Sequence, residues 1–266
     1  MSIVRPRLCR ADKILLGGGV ALLGGTALFG AGLWGVGLPV SVLGLLITDG
    51  VFRPSSSTFY PTISTGPRDT AKVALTFDDG PDPEVTPLLL DTLKARGARA
   101  TFFTIGRHLA RHRGIAERAL RDGHELGNHS WQHDRMQNFY GTRAQATDID
   151  RSMQLIREVS GSDALPLYRP PIGLKSPALA RAAHERGLRV IAWSLHSRDT
   201  MLRDPQRIAA RLLKRVQAGD IILMHDGHDR DGQHRVATAE ALPLVLDGLA
   251  KRGLQGVTVS ELLARH

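Results

Sequence analysis

Short β-rich runs and helical patterns alternate along residues 72–263, and this alternation restricts the possible folds more than any other feature of the sequence. The runs "KVALTF", "ATFFTIG", "LRVIAWS" and "DIILMH" predict apolar strands, whereas "PLLLDTLKARG" and "DPQRIAARLLKRVQAG" have helical patterns. Strands that alternate with helices predict a parallel sheet covered by helices. There are about seven β/α units, and no glycine-rich phosphate fingerprint follows the first strand. We therefore expect an irregular (β/α)7-type barrel of the α/β class, not a dinucleotide-binding sheet.

Most of the predicted strands end in ionisable residues. In chain order these are Asp78 with Asp79, His129 with His133, Arg169, Asp199 and His225. In parallel β/α folds the active site forms at the carboxyl ends of the strands. Each residue alone has an ordinary structural explanation, such as a turn, a helix cap or a solvated strand end. Because all of them fall at the same rim, we interpret them together as an active site.

His129 and His133 predict a metal site. They are four residues apart, so on a helix they would share one face. Two imidazoles and one carboxylate leave coordination positions open and suit Zn²⁺ or another divalent transition metal. An open position holds a water whose pKa the metal lowers. A second carboxylate to take its proton and a histidine to protonate the leaving group would complete metal-assisted hydrolysis of an acyl bond.

Residues 70–263 resemble the polysaccharide deacetylase family, carbohydrate esterases with a NodB homology domain. Five motifs appear in the family's order. They are "TFDDG" at 76–80, "HSWQH" at 129–133, "RPPIG" at 169–173, the stretch around Asp199, and "LMH" at 223–225. Five motifs in order make a specific signal, although any one of them alone would be weak.

The resemblance implies a role for each motif residue. It implies that Asp79, His129 and His133 bind the metal. Asp78 would be the general base, oriented by Arg169. His225 would be the general acid, and Asp199 would favour the protonated form of His225. A backbone N–H just after Pro171, at Ile172, would help to stabilise the oxyanion, and Leu223 would line a pocket for the acetyl methyl group. The metal would be Zn²⁺, or Co²⁺ or another transition metal.

The sequence departs from the family pattern at three positions. Ile172 stands where the family often has Tyr, His196 where an acid is common, and Thr200 where Trp is common. These changes leave the implied metal site and acid–base pair intact and affect the substrate groove. Trp131 and Trp193 are candidate stacking surfaces, although Trp193 lies within an apolar run and is expected in the core.

An uncharged segment, residues 14–48, follows a basic flank, residues 1–13. As a single helix it would be about 52 Å long, against a hydrocarbon core of about 30 Å. One interpretation is a single span with an extra apolar turn, and another is a hairpin of residues 14–30 and 33–48. A cleaved signal peptide is a third, although no clear cleavage site follows the segment. Residues 49–70, rich in Ser, Thr and Pro, predict a linker, and residues 71–266 the deacetylase domain.

The basic flank places the N-terminus in the cytoplasm under either membrane interpretation. A single span would export the catalytic domain to the cell envelope, which is the location we expect, whereas a hairpin would return it to the cytoplasmic face. The net charge of +9 favours anionic surfaces weakly. No zinc-finger spacing, RNA-binding signature or basic helix with heptads indicates a nucleic-acid partner. The single cysteine, Cys9, excludes an intrachain disulfide.

The protein is predicted to be a metal-dependent hydrolase that removes N-acetyl groups from an amino-sugar glycan. Its class would be the hydrolases of carbon–nitrogen bonds in linear amides other than peptide bonds. Asp78 would be the base towards a metal-activated water, and His225 the acid. Peptidoglycan, chitin-type oligomers and surface polysaccharides are all candidate substrates. One alternative is a deacylase of a membrane lipid-linked sugar, which the hairpin topology would favour. Another is a catalytically silent glycan-binding module, but that would be marked by a lost ligand or base, and none is lost.

Overall fold

The computed structural model describes residues 8–161, 165–230 and 232–264. Two N-terminal helices come first, α1 (Arg10–Phe29) and α2 (Leu38–Phe52), joined through a π-helical turn at Leu33–Gly37. A Cβ on Gly18 would lie 3.0 Å from Leu43, and one on Gly25 would lie 2.6 Å from the carbonyl oxygen of Gly35. The start of α1 thus lies beside the later part of the returning chain, and the end of α1 beside its beginning, so the two helices are antiparallel. Glycine allows their close approach.

The described residues form a sheet of nine strands. These are β1 (Thr62–Ile63), β2 (Lys72–Asp78), β3 (Thr101–Thr104), β4 (Glu125–Asn128), β5 (Leu167–Tyr168), β6 (Arg189–Ile191), β7 (Leu195–His196), β8 (Ile221–His225) and β9 (Gln255–Val257). Their order is β1-β6-β5-β4-β3-β2-β8-β7, and β9 pairs with the first part of β2. All paired strands are parallel. This arrangement confirms the parallel α/β prediction.

The sheet curls into an irregular barrel because one stretch of chain contributes strands near both ends of the strand order. Residues 189–196 supply β6, which pairs with β5, and then β7, which pairs with β8. The chain after β1 makes a second connection, since Thr65 bridges Asp220 just before β8. The carboxyl ends of the strands therefore surround one rim.

The helices outside the barrel are α3 (Val85–Ala95), α4 (Gly106–Arg111), α5 (Arg113–Arg121), α6 (Thr142–Ser160), α7 (Pro177–Glu185), α8 (Pro205–Arg215), α9 (Val236–Ala250) and α10 (Val259–Leu263). Successive side chains of β2 alternate between two environments, as the strand period requires. Leu75 and Phe77 pack in the cluster shared with α3, α8 and α9, whereas Ala74 packs inside the barrel with Ile221 and Val257. Asp78 lies four residues after Ala74, so its side chain is also on the inner face of the barrel.

Three local features differ from the sequence-based expectation. The pattern over residues 108–123 forms two helices, because His112 leaves the helical conformation with φ −123° and ψ 40°. The stretch "VTVSELL" is not a closing strand and turn. Only Val257 at its start belongs to a strand, β9, and Thr258 and Glu261 then form a capping box that starts α10. α2 continues to Phe52, past the expected boundary at residue 48.

The stretch expected to be a linker, residues 49–70, also carries structure. It contains the end of α2 and β1, and the Phe59 side chain within it is fully buried. Phe59 packs against Gly50, where a Cβ would lie 2.8 Å from its ring. The division of the chain into domains stays a prediction.

Candidate active site

Asp78 and Asp79 line the same cleft although they are neighbours at the end of a strand. Strand alternation would turn them to opposite faces. Asp79 instead has φ 77°, in the left-handed region that non-glycine residues seldom occupy. This change of backbone direction brings the second carboxylate to the cleft. His108 Nδ1 contacts the carbonyl oxygen of Asp79 at 2.8 Å and helps to fix the turn.

His129 and His133 lie on a loop that follows β4, and the expectation that they share a helix face is wrong. Ser130 and His133 have positive φ values of 68° and 54°, which no helix permits. The loop is held by side chains instead. Asn128 accepts a hydrogen bond from the Ser130 amide at 2.8 Å, and the Ser130 hydroxyl accepts one from the His133 amide, also at 2.8 Å. Two left-handed residues thus turn both imidazoles towards the cleft.

Asp79, His129 and His133 form a compact, buried cluster. Their candidate ligand atoms all lie within 4.8 Å of one another. The Nε2 atoms of His129 and His133 are 3.6 Å and 3.4 Å from Asp79 Oδ1, and that oxygen is buried without a hydrogen-bond partner. A buried carboxylate oxygen left unpaired is costly unless a cation approaches it. The cluster therefore fits a divalent metal ion.

The state of His129 also suits a metal ligand. Its Nδ1 contacts the carbonyl oxygen of Arg169 at 2.8 Å, which fixes Nδ1 as the donor and leaves the Nε2 lone pair directed at the cluster. Burial, reinforced by His133, lowers the pKa of His129 to about 3. The imidazole is therefore neutral at neutral pH, as metal coordination requires.

Arg169 directly follows β5 and is buried beside Asp78. Its Nη1 donates to Asp78 Oδ1 at 2.6 Å and to the hydroxyl of Thr76 at 2.8 Å. Burial lowers the pKa of Arg169 from its usual value, and the charge of Asp78 opposes that effect. Since one oxygen of Asp78 is held in this way, the other, Oδ2, faces the cluster at 3.6 Å from His129 Nε2.

His225, at the end of β8, stands opposite Asp78 in the register of the two neighbouring strands. Asp199 accepts two hydrogen bonds from it, one from Nδ1 at 2.8 Å and one from the backbone amide at 2.7 Å. Burial opposes the charged imidazolium, but Asp199 outweighs it and raises the pKa of His225 to about 9. His225 is therefore protonated at neutral pH, with Nε2 left for the cleft.

The cleft has a volume of about 360 Å³. Its lining includes Asp78, Asp79, His129, His133 and His225 together with Ile172, Leu223, Trp193 and His196. The expectation that Trp193 belongs to the core is wrong, because strand structure stops at Ile191 and the indole then reaches the cleft wall. Trp131 faces elsewhere, with Arg151 stacked 3.7 Å from its ring centre. Pro171 is buried behind the wall that its neighbour Ile172 forms.

Comparison with known proteins agrees with this geometry. Residues 65–191 match the family model described as polysaccharide deacetylase. A peptidoglycan-N-acetylglucosamine deacetylase of Bacillus cereus is 37% identical over 199 residues, which cover 74% of this chain and 90% of that protein. This chain belongs to the polysaccharide deacetylase family. The family and enzyme class predicted from the sequence are thereby confirmed.

Two further relatives of this deacetylase support the same assignment. A chitooligosaccharide deacetylase of Azorhizobium caulinodans is 31% identical over 193 residues, covering 70% of this chain and 91% of that one. A crystal structure of a peptidoglycan N-acetylglucosamine deacetylase superposes with a TM-score of 0.71 at 29% identity, covering 76% of this chain and 92% of that chain. The superposition confirms the predicted barrel.

Sequence reasoning missed several residues of the deacetylase site, among them the cleft-lining His228 and Asp229 and the buried Asp226. The Asp226 carboxylate accepts hydrogen bonds from the Gly80 amide at 3.0 Å and the Thr86 hydroxyl at 2.7 Å. It therefore supports the turn that carries Asp79. Burial raises the pKa of Asp226 to about 8. The only signal in the sequence was its place directly after His225, because its partners lie 140 or more positions away.

Proposed function

We propose that this protein hydrolyses the N-acetyl group of an amino-sugar-containing glycan with the help of a divalent metal. The observation that carries the proposal is the convergence of three elements in one cleft. They are the Asp79–His129–His133 cluster, a carboxylate held by a buried arginine, and an imidazolium held by a buried carboxylate. The names of the relatives, which act on peptidoglycan and chitooligosaccharides, support an amino-sugar glycan as the substrate.

Asp79, His129 and His133 would hold the metal, and the donor set of two imidazoles and one carboxylate suits Zn²⁺, with Co²⁺ or another transition metal as alternatives. When bound, the ion supplies Lewis-acid polarisation of the acyl oxygen and lowers the pKa of water at the site. The unpaired Oδ1 of Asp79 supports this assignment.

Asp78 would act as the general base. Arg169 fixes its Oδ1, so the free Oδ2 is the atom that takes the proton of the attacking water. A neighbouring guanidinium also keeps a carboxylate ionised. Arg169 would thus position the base without touching the substrate.

His225 would act as the general acid. Its Nδ1 is bonded to Asp199, so Nε2 carries the proton that passes to the amide nitrogen as the C–N bond breaks. One water is consumed, and acetate and a free amine are formed. Asp199 keeps His225 charged before the transfer.

The walls of the cleft would select the acetyl group. Leu223 and Ile172 offer apolar surface to its methyl, and the backbone N–H of Ile172, just after Pro171, would donate to the developing oxyanion. Ile172 has φ 50°, an unusual conformation for a β-branched residue that aims this part of the loop at the cleft.

Acetate release from a panel of acetylated glycans tests the proposal. The full chain should release acetate from at least one of them, EDTA should stop the reaction, and added Zn²⁺ or Co²⁺ should restore it. A matched preparation of the Asp78→Asn variant should be inactive under the same conditions. Binding of glycan without acetate release by metal-loaded protein would instead establish a silent binding module and overturn the proposal.

A further inference from the structure

The N-terminal hairpin exposes far more apolar surface than a hairpin in water can tolerate. Two helical stretches of 20 residues each, Arg10–Phe29 and Leu33–Phe52, are long and apolar enough to cross a membrane, the second because the π-helical turn runs into α2, and few of their residues are buried. Leu23, Leu28, Trp34 and Leu45 each expose more than two thirds of their surface. A 20-residue helix is about 30 Å long, the thickness of a bilayer core. We therefore expect a lipid bilayer to surround the two helices.

The charges around the hairpin indicate the side of the bilayer on which the catalytic domain lies. Because α1 and α2 are antiparallel, Arg10 and Lys13 at the start and Arg53 at the end belong to the same side as the domain. Arg5 and Arg7 precede them in the sequence, and the turn at residues 30–37 carries no charge. Basic residues that flank membrane helices stay in the cytoplasm. The domain therefore belongs to the cytoplasmic face.

The base of the hairpin is built into the catalytic domain. Arg181 on α7 donates to Asp12 on α1 at 2.5 Å, and Arg10 donates to the carbonyl oxygen of Ser57 at 3.1 Å. Ala11 is fully buried, in a cluster shared with Phe59 and with Ala180 of α7. These contacts fix the orientation of the domain relative to the bilayer.

The wall of the cleft is joined to the same base. Lys175 Nζ donates to the carbonyl oxygens of Arg53, Pro54 and Ser56 at 3.2, 2.6 and 2.7 Å. Gly173, which lines the cleft, lies so close to Pro54 that a Cβ there would be 3.0 Å away. Pro54 follows the end of α2 by two residues, at most about 7 Å of chain. This wall of the cleft thus lies beside the end of the hairpin.

We infer that the substrate is an acetylated amino sugar carried by a membrane lipid in the cytoplasmic leaflet, not an assembled polymer outside the cell. This inference rests on the proposed function and specifies its substrate. A lipid-linked sugar keeps its tail in the bilayer and its sugar at the surface, where Gly173 and the half-exposed Ile172 form the cleft wall. A polymer in the cell envelope would lie across the membrane from the site.

The test uses the full chain with its metal, reconstituted in phosphatidylethanolamine–phosphatidylglycerol vesicles. One probe is an N-acetyl amino sugar joined through diphosphate to a polyprenol in the same vesicles, and the other is a soluble N-acetylchitooligosaccharide. Faster acetate release from the lipid-linked probe supports the inference. Equal or faster release from the soluble probe overturns it and leaves the proposed function standing. No acetate from either probe also overturns the inference, whereas the proposed function is decided by the panel of acetylated glycans.

A matched pair of variants separates membrane positioning from chemistry. Arg181→Ala loses the ion pair to Asp12 of α1, whereas Arg186→Ala, just past the end of α7, loses ion pairs to Asp150 and Glu185 that do not involve the hairpin. We expect Arg181→Ala to slow release from the lipid-linked probe by at least about threefold, because misplacement of a substrate slows reaction, with the soluble probe unaffected. Arg186→Ala should change neither. Equal slowing of both probes by Arg181→Ala would contradict the positioning role.

Fusions at the C-terminus test the side of the membrane in intact cells. A fluorescent protein should be fluorescent there, and alkaline phosphatase should be inactive, because phosphatase requires export. An active phosphatase fusion would place the catalytic domain outside and overturn the inference.

Discussion

Arg169 donates a hydrogen bond of 2.6 Å to Asp78, and both side chains are buried. Three further donors of the guanidinium bond to the Thr76 hydroxyl and to the carbonyl oxygens of Ile191 and Ala192. Its face lies 4.1 Å from the ring centre of Phe103. Four hydrogen bonds and the Phe103 ring hold the guanidinium in position, and it in turn fixes the carboxylate that we assign as the base.

Replacement of Arg169 by Met should therefore damage stability and activity together. Removal of one partner of a buried ion pair leaves an uncompensated charge and typically costs about 3–5 kcal/mol. Chemical denaturation measures this loss, and acetate release measures the loss of turnover. Arg186→Ala, which removes ion pairs to the exposed Asp150 and Glu185, is the control and should cost no more than about 1 kcal/mol. Equal effects of the two changes would contradict the orienting role of Arg169.

Asp78→Asn and Asp79→Asn should fail in different ways. The first removes the proposed base and should lower turnover by at least about 100-fold while the metal stays bound. The second removes a proposed ligand and should lower metal content in proportion to activity. Metal analysis of both purified variants, alongside acetate release, distinguishes them. Normal metal content in Asp79→Asn would refute the ligand assignment.

The ion pair between Asp199 and His225 should make both stability and activity depend on pH. The pKa of His225 is raised from 6.5 to about 9, so its contribution to stability is complete below pH 6.5 and is lost as the pH rises through 9. The pKa of Asp199 is lowered from 3.8 to about 2, although burial opposes this, so its contribution is present above pH 3.8 and is lost as the pH falls through 2. Turnover should decline on the alkaline side as His225 loses its proton.

Asp199→Asn should move that alkaline decline to lower pH by at least about one unit, because burial, which lowers the pKa of His225, is then opposed only by the weaker effects of Asp79 and Asp78. The pH–rate profile measures the shift. Thr238→Val is the matched control, since it removes a 2.9 Å hydrogen bond to Asp199 but keeps the charge. A profile unchanged by Asp199→Asn would show that His225 is not the group whose deprotonation limits turnover.

We expect Asp226 to have a structural role. It holds the Gly80 amide and so should stabilise the turn that carries the proposed metal ligand Asp79. Asp226→Ala leaves the buried Gly80 amide unpaired, at a cost of about 1–3 kcal/mol, and should weaken metal binding. Asp226→Asn keeps an acceptor and should retain both. Calorimetric unfolding and metal titration of the two variants test this. An Ala variant as stable as the native protein would refute the supporting role.

Asp226 also predicts a pH effect on stability. Its pKa is raised from 3.8 to about 8, chiefly by burial, so between these values the folded protein holds a proton that the unfolded chain releases. Stability from this group therefore falls as the pH rises from 3.8 to 8. The Asp226→Asn variant should lack that decline when unfolding is measured across the same range.

Much of the site could be predicted because its signals are local in sequence. Asp78, His129, Arg169 and His225 each end or directly follow a strand, and parallel strands bring their carboxyl ends to one rim. The helical interpretation of His129 and His133 failed, since their loop is set by the side chains of Asn128 and Ser130, not by periodicity. Trp193 was misassigned because an apolar run does not reveal where a strand stops.

The sequence by itself determined the alternating β/α order, the ionisable strand ends and the uncharged N-terminal segment, because periodicity and charge act between near neighbours. Only the tertiary structure decided that Asp79 turns towards the same cleft as Asp78, and that Asp226 supports it from the far end of the chain. It also decided that Lys175 joins the cleft wall to the end of the hairpin. Each of these features depends on contacts between residues that are distant in sequence. Such contacts form when the chain packs, and the conformational preferences of neighbouring residues do not predict them.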